Sequence, residues 1–141
     1  MADLYVGTQT EPVSIRVLAE KNNVPRRFLE QIMIDLRACG WVKSLAGRDG
    51  GFILAKSPDQ ITMGQIVRHF EGSIAPIGCV SISKYTRCSQ EACCRFRRVF
   101  LEIRNFAAAR LDEATLASLL ENRPVQLNEI MRGTYNDGAG I

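Results

Sequence analysis

The sequence has a single histidine, a single tryptophan and no apolar run close to the roughly 20 residues that cross a bilayer. No basic segment followed by an apolar stretch begins the chain, so we expect no signal peptide, no membrane partner and a cytoplasmic location. The lone histidine, His69, has no partner visible in the sequence, and such a residue is more often packed or solvated than a ligand. Phosphate-binding loops, nucleophile–base pairs and paired catalytic acids are all missing, which argues against an enzyme.

The composition is that of a globular protein of 141 residues, with 46% hydrophobic and 23% charged residues. Its net charge of +3 is unevenly distributed, because residues 79–110 carry seven Lys or Arg against two acids while residues 111–141 carry two against five. A basic middle suits a polyanion or negatively charged thiolates, and it also suits an ordinary solvated face.

Local patterns in the first third of the chain predict a helix-turn-helix. Ser14 is suited to cap a short helix that runs to about residue 21. Asn22 and Asn23 favour a tight turn, and Pro25 is typical of the first turn of a second amphipathic helix that ends at Gly40. Two helices joined by a turn of a few residues form the helix-turn-helix pattern.

The segment after the second helix predicts a wing. Residues 41–45 and 52–54 are strand-like and flank a loop rich in turn residues, so a β-hairpin follows the second helix directly. In a helix-turn-helix the second helix contacts bases, where Arg pairs with guanine and Gln with adenine, while wing residues contact phosphates. The candidate DNA contacts are Ser14, Arg26, Arg27, Gln31, Lys43, Ser44 and Arg48. The alternative for the second helix is an amphipathic helix with a charged solvent face.

A further helix and a cysteine-rich segment follow. Thr62 and Gln65 predict a capping box for a helix to about Phe70, which we expect to point inward. The next segment carries four of the five cysteines, at Cys79, Cys88, Cys93 and Cys94. Their spacing is not the paired C-x-x-C pattern of zinc fingers and ribbons, and it leaves open a thiolate-bound metal or cluster and a loop of reduced thiols.

Several motifs together resemble the Rrf-two family of bacterial winged-helix regulators, over about residues 10–122. They are residues 12–15, 25–32, 50–55, 61–66, 71–72, 111–112 and 115–116. The resemblance implies a homodimer that binds a double-stranded DNA operator. It also implies that members with three cysteines in this loop hold an iron–sulfur cluster that senses iron, redox state or nitric oxide.

By this resemblance Cys79, Cys88 and Cys94 match the three cluster ligands, and Cys93 could substitute for Cys94. Arg97 stands where some members have a ligand histidine, so a 4Fe–4S cluster is favoured over 2Fe–2S. The family's fourth ligand lies on a long first helix, of which barely ten residues precede the helix-turn-helix here. We therefore expect a truncated first helix and a cluster that can be absent from the isolated protein.

Apolar residues recur every three or four positions after the cysteines. They are Phe96, Val99, Phe100, Ile103 and Phe106. Such a seam is too apolar for a solvated single helix, which favours dimerisation over packing within its own domain.

The predicted fold is mostly α, a winged helix-turn-helix with a two-stranded wing and a long C-terminal dimerisation helix. The predicted organisation is a DNA-binding domain over residues 1–72, a sensor loop over 73–94, dimerisation helices over 95–122 and a flexible tail over 123–141. The predicted function is a dimeric transcriptional regulator controlled by a cluster or by the redox state of the loop cysteines. The alternatives are a cluster-free thiol/disulfide repressor and a protein-interaction module without specific DNA binding.

Overall fold

A computed structural model describes Leu4, residues 11–122 and residues 124–131. The elements in chain order are α1 (Ile15–Asn22), α2 (Arg26–Ala38), β1 (Val42–Leu45), β2 (Gly51–Leu54), α3 (Met63–Phe70), α4 (Phe96–Glu113), α5 (Leu116–Glu121) and α6 (Leu127–Met131). This order confirms the predicted winged helix-turn-helix followed by a long helix. Among the described residues, no helix combines the length and the apolar character needed to cross a membrane.

The ends of α1 and α2 form as the sequence predicts. Ser14 caps α1 by accepting a hydrogen bond from the backbone amide of Val17 at 3.3 Å. Asn23 ends α1 in the left-handed conformation at φ 50°, which asparagine tolerates better than most residues. Gly40, at φ 68°, turns the chain after α2 so that the amide of Trp41 reaches back to the last turn of the helix.

The two-stranded wing is attached to the segment that precedes α1. β1 and β2 pair antiparallel, with Ser44 opposite Phe52. Phe52 also exchanges two backbone hydrogen bonds with Val13, at 2.9 and 3.0 Å. Gly51 makes this approach possible, because a Cβ there would lie 2.5 Å from the carbonyl oxygen of Val13. The outer half of β2 is therefore held to the chain before α1 by an isolated bridge.

The hydrophobic core draws on elements from both ends of the described chain. Its buried members are Leu4, Leu18, Met33, Leu36, Trp41, Val42, Ile61 and Leu116. Leu116 belongs to α5, and its amide donates to the carbonyl oxygen of Ile61 at 2.8 Å. The amide of Met63 donates in turn to the carbonyl oxygen of Ala114 at 2.7 Å. The segment after α4 thus closes the core of the winged helix.

Helices α3 and α4 approach each other closely. The predicted capping box of Thr62 and Gln65 is present at the start of α3. A Cβ at Gly64 would overlap the carboxylate of Asp112, so the absence of a side chain allows the contact. Arg68 then donates two hydrogen bonds to Asp112, at 2.6 and 2.7 Å. This bidentate ion pair ties α3 to the last turn of α4.

Three expectations about the fold need correction or qualification. Phe70, expected to point inward, is 45% exposed, because the surrounding structure covers the apolar face of α3 only over its earlier turns. The prediction of a flexible tail over residues 123–141 did not anticipate α6, and residues 132–141 lie outside the described part of the chain. The predicted truncation of the first helix falls on residues of which only Leu4 is described, and Leu4 is buried.

Candidate nucleic-acid interface and sensor loop

Helix α2 presents the predicted base-contacting residues to solvent, and two of them already have partners. Nε of Arg26 lies 2.8 Å from a carboxylate oxygen of Glu30. The Gln31 amide donates to Asp35 at 3.3 Å, again one helical turn away. Arg27 is exposed and makes no side-chain hydrogen bond or ion pair within the described residues. Arg27 can therefore contact a base without breaking an existing bond.

The wing carries three exposed polar residues at predicted phosphate-contacting positions. Lys43 and Ser44 lie on β1, and Arg48 lies in the loop after Gly47, whose φ of 121° suits glycine. Ser14 is half-buried, and its hydroxyl is used by the α1 cap. The Val13–Phe52 pairing puts Ser14 beside β2, so the wing and the helix-turn-helix meet there.

The segment predicted as a sensor loop, residues 73–94 and called the sensor loop below, places its cysteines in two environments. Cys79 and Cys94 are half-buried and line one cavity of about 490 Å³. Cys88 and Cys93 are exposed and are not among the residues that line it. The cavity lies between the loop and α4, and its basic lining residues are Arg97, Arg98 and Arg104.

Arg97 and Glu91 organise this cavity. From Nε and Nη2, Arg97 donates to the carbonyl oxygen of Cys79 at 3.1 and 2.9 Å. The Tyr85 hydroxyl donates to Glu91 at 2.7 Å, and Arg97 lies 3.9 Å from the same carboxylate. The hydrogen bond with Tyr85, aided by the charge of Arg97, holds the pKa of Glu91 below its usual value. The same hydrogen bond raises the pKa of Tyr85. A carboxylate thus stays ionised beside the thiols and offsets part of the basic lining.

The sequence predicts the cysteines but not the contacts that support them. Arg97 is predicted as a nearby positive charge and as the replacement for a ligand histidine, whereas in the structure it also bonds the backbone of Cys79. Tyr85 and Glu91 have no recognisable spacing, because both lie in irregular chain where no helical or strand period applies.

The cavity fits an iron–sulfur cluster only in part. Thiolates are the usual ligands of such clusters, and Cys79 and Cys94 supply two on one cavity wall. Cys88 lies outside that wall, and in the described part of the chain no three His, Cys, Asp or Glu side chains are grouped closely enough to hold a metal ion. The loop must rearrange around Cys88 before three thiols can meet.

The apolar seam of α4 remains uncovered. Phe96, Val99, Ile103 and Phe106 are 76, 54, 49 and 71% exposed, and Phe100 is half-buried. No described residue of α4 is fully buried, although the helix contacts α3 through its opposite side. An exposed row of large apolar side chains this long is typical of contact surfaces.

Comparison with known proteins gives consistent matches over most of the chain. Residues 1–122 match the family model Rrf2, described as an iron-dependent transcriptional regulator. An rrf2-like HTH-type transcriptional regulator of Rhodobacter capsulatus is 39% identical over 123 residues, which cover 85% of this chain and 82% of the relative. The structure of CymR, the global cysteine regulator of B. subtilis, is 32% identical with a TM-score of 0.72, covering 87% of this chain and 88% of that one. The structure of T. potens IscR is 30% identical with a TM-score of 0.65, covering 92% of this chain and 86% of that one.

Proposed function

The chain belongs to the Rrf2 (Rrf-two) family of transcriptional regulators, and we propose that it is a cytoplasmic homodimer whose cysteine loop controls operator binding. The family and these relatives regulate transcription, and the chain is not an enzyme. The observation that carries the proposal is the bond from Arg97 on α4 to the backbone of Cys79. It connects the sensor loop to a helix whose far end is tied to the winged helix through Asp112 and Arg68.

Operator recognition would use the start of α2 in the major groove, with the wing on the adjacent backbone. Arg27 is the residue we expect to select bases, because its guanidinium is exposed and free of partners in the described structure. Lys43, Ser44, Arg48 and Ser14 would contribute affinity through phosphates. Two copies joined through α4 would present two recognition helices to half-sites about 34 Å apart.

The experiment is a mobility-shift assay with genomic fragments and the purified full chain. We expect a small set of fragments to be retained in the presence of excess nonspecific DNA. The substitution Arg27→Ala should cost about 1–3 kcal/mol at the base it contacts and relax specificity there. Arg37→Ala is the matched control, because Arg37 is exposed in the last turn of the same helix, away from the end that enters the groove. Binding that ignores sequence in the unaltered protein would refute operator recognition.

For the sensor, our first candidate is an iron–sulfur cluster held by Cys79, Cys88 and Cys94, with Cys93 as substitute. The shared cavity of Cys79 and Cys94 and the iron-dependent description of the family support it. A 4Fe–4S cluster is preferred over 2Fe–2S, because Arg97 occupies the position of a ligand histidine and is engaged with the Cys79 carbonyl. When bound, such a cluster supplies a redox-active group sensitive to iron supply. The chain's own part is to present thiolates and basic side chains around it.

The second candidate is a cluster-free thiol switch, which the exposure of Cys88 and Cys93 favours. Iron and acid-labile sulfide, measured after oxygen-free isolation, separate the two candidates. Colour and stoichiometric iron that are lost in the Cys79→Ser protein would establish the cluster. Colourless protein whose thiols oxidise reversibly, with a matching change in DNA affinity, would establish the switch. If neither cluster loading nor thiol oxidation changes DNA affinity, the loop is not the sensor.

A further inference from the structure

The fifth cysteine, Cys39, lies outside the sensor loop, at the C-terminal cap of the recognition helix α2. Its Sγ is 3.3 Å from Nδ1 and 3.5 Å from Nε2 of His69, the protein's only histidine. Cys39 is half-buried and His69 is exposed, so small reagents can reach the pair. A nucleophile and a base within hydrogen-bond reach are the arrangement that activates thiols in proteins.

His69 is held in place by its neighbours. Its ring meets the buried ring of Trp41 edge to face, with centroids 5.6 Å apart at 78°, and meets Phe70 at 4.9 Å and 83°. The helix that carries His69 is fixed by its capping box and by the ion pair from Arg68. Because both ring nitrogens lie near the sulfur, either neutral tautomer can accept the thiol proton.

We propose that Cys39 and His69 form a modification site for low-molecular-weight disulfides, separate from the sensor loop. Cys39 passes its proton to His69, and its sulfur attacks one sulfur of the disulfide. A new S–S bond joins Cys39 to half of the reagent, the reagent's own S–S bond breaks, and the released thiolate takes the proton from His69. The Cys39 sulfur is oxidised and the released sulfur is reduced, so no further oxidant is needed.

The adduct would act on the junction between the recognition helix and the wing. Cys39 packs against the core, and only Gly40 and Trp41 separate it from β1. A sulfur-linked group cannot fit into a 3.3 Å contact, so either the Cys39 side chain or α3 must move. We expect the adduct to lower operator affinity about tenfold, which is comparable to losing one base contact. This consequence depends on the proposed function, whereas formation of the adduct does not.

The test treats the full chain, isolated under reducing conditions, with 2-hydroxyethyl disulfide, a neutral reagent. Peptide mapping by mass spectrometry follows the rate of adduct formation at Cys39 and, as an internal control, at the more exposed Cys88. In the unaltered protein Cys39 should react faster than Cys88. The substitution His69→Asn, which keeps a polar amide near the position of Nδ1 but removes the base, should slow the reaction of Cys39 about tenfold or more and leave that of Cys88 unchanged.

The outcomes separate the site from an accidental thiol. Unfolding of the His69→Asn protein would expose Cys39 and speed its reaction, so a selective decrease cannot come from misfolding. If Cys39 forms the adduct at the same rate with and without His69, the proposal is overturned. It is also overturned if Cys39 of the unaltered protein reacts more slowly than Cys88. In anisotropy assays treatment should lower the DNA affinity of the unaltered protein about tenfold more than that of the Cys39→Ala protein, in which only the other cysteines can react. A chain with no sequence-specific DNA binding would refute the operator function and leave the rate comparison intact.

Discussion

Replacing Phe106 should weaken the proposed dimer by a predictable amount. Phe106 is 71% exposed, so of the roughly 200 Å² that a phenylalanine side chain presents, about 140 Å² is open to a partner. Burial stabilises by about 25 cal/mol per Å², which gives about 3.5 kcal/mol per subunit for complete coverage. Two-fold symmetry places two copies of Phe106 in the interface, which doubles this stabilisation. If the partner covers only half of each side chain, and the alanine methyl group keeps part of the contact, the loss is about 3 kcal/mol per dimer. Phe106→Ala should therefore raise the dimer dissociation constant about 100-fold.

Sedimentation equilibrium over a concentration series measures that constant directly. Phe28→Ala is the matched control, because Phe28 is a comparably exposed phenylalanine, at 62%, on α2 instead of α4. We expect Phe28→Ala to leave the dimer unchanged. Its effect on DNA binding is measured separately, because Phe28 lies on α2. Equal dissociation constants for Phe106→Ala and the unaltered protein would refute the assignment of the α4 seam as the interface. Equal weakening by both substitutions would point to nonspecific association.

Three further substitutions test the fold that supports the site. Gly51→Ala should lower the free energy of unfolding by about 2 kcal/mol, because its Cβ would lie 2.5 Å from the Val13 carbonyl oxygen. An unchanged midpoint of urea unfolding would contradict the bridge between Val13 and the wing. Leu116→Ala should lower the free energy of unfolding by about 2–5 kcal/mol, because Leu116 is only 5% exposed in the core. A decrease below about 0.5 kcal/mol, which is typical of surface sites, would place α5 outside the core. Asp112→Asn should cost only about 0.5–1 kcal/mol because the ion pair is exposed to solvent. The hydrogen bond from Arg68 lowers the pKa of Asp112 below its ordinary 3.8, so the pair's stabilisation is present above that pH and disappears as pH falls through the depressed value. The difference between Asp112→Asn and the unaltered protein should therefore vanish in acid; a constant difference contradicts the ion pair.

The winged helix could be predicted because the residues that begin and end its helices act locally. Ser14, Asn23 and Gly40 each set a helix end through their own backbone or side chain, and the Thr62–Gln65 box joins residues only three positions apart. Such features act through neighbours in sequence, so a pattern of residue types suffices to identify them. The strand positions followed from the turn residues between them for the same reason.

The candidate site was harder to predict from the sequence, because its contacts join distant or irregular parts of the chain. Arg68 and Asp112 are 44 residues apart, and Cys39 and His69 are 30 apart, so no spacing rule connects them. Periodicity assigned Phe70 to the apolar face of α3 but could not show which part of that face the tertiary structure covers. Within the sensor loop no period exists, and the separation of Cys88 from the cavity of Cys79 and Cys94 depends on turns that residue types alone do not specify.

Helix α4 is the element through which a change at the cysteines would reach the DNA-binding unit. Arg97 holds Cys79 near its first turn and Asp112 holds α3 near its last, about 22 Å apart at 1.5 Å per residue. An exposed ion pair transmits at most about 1 kcal/mol, which changes an affinity only about fivefold. The buried Leu116 and its backbone bond to Ile61 form the stronger attachment, because displacing them would open the core. Coupling between sensor and operator should therefore run mainly through the docking of α5, with the Arg68–Asp112 pair as a minor contributor.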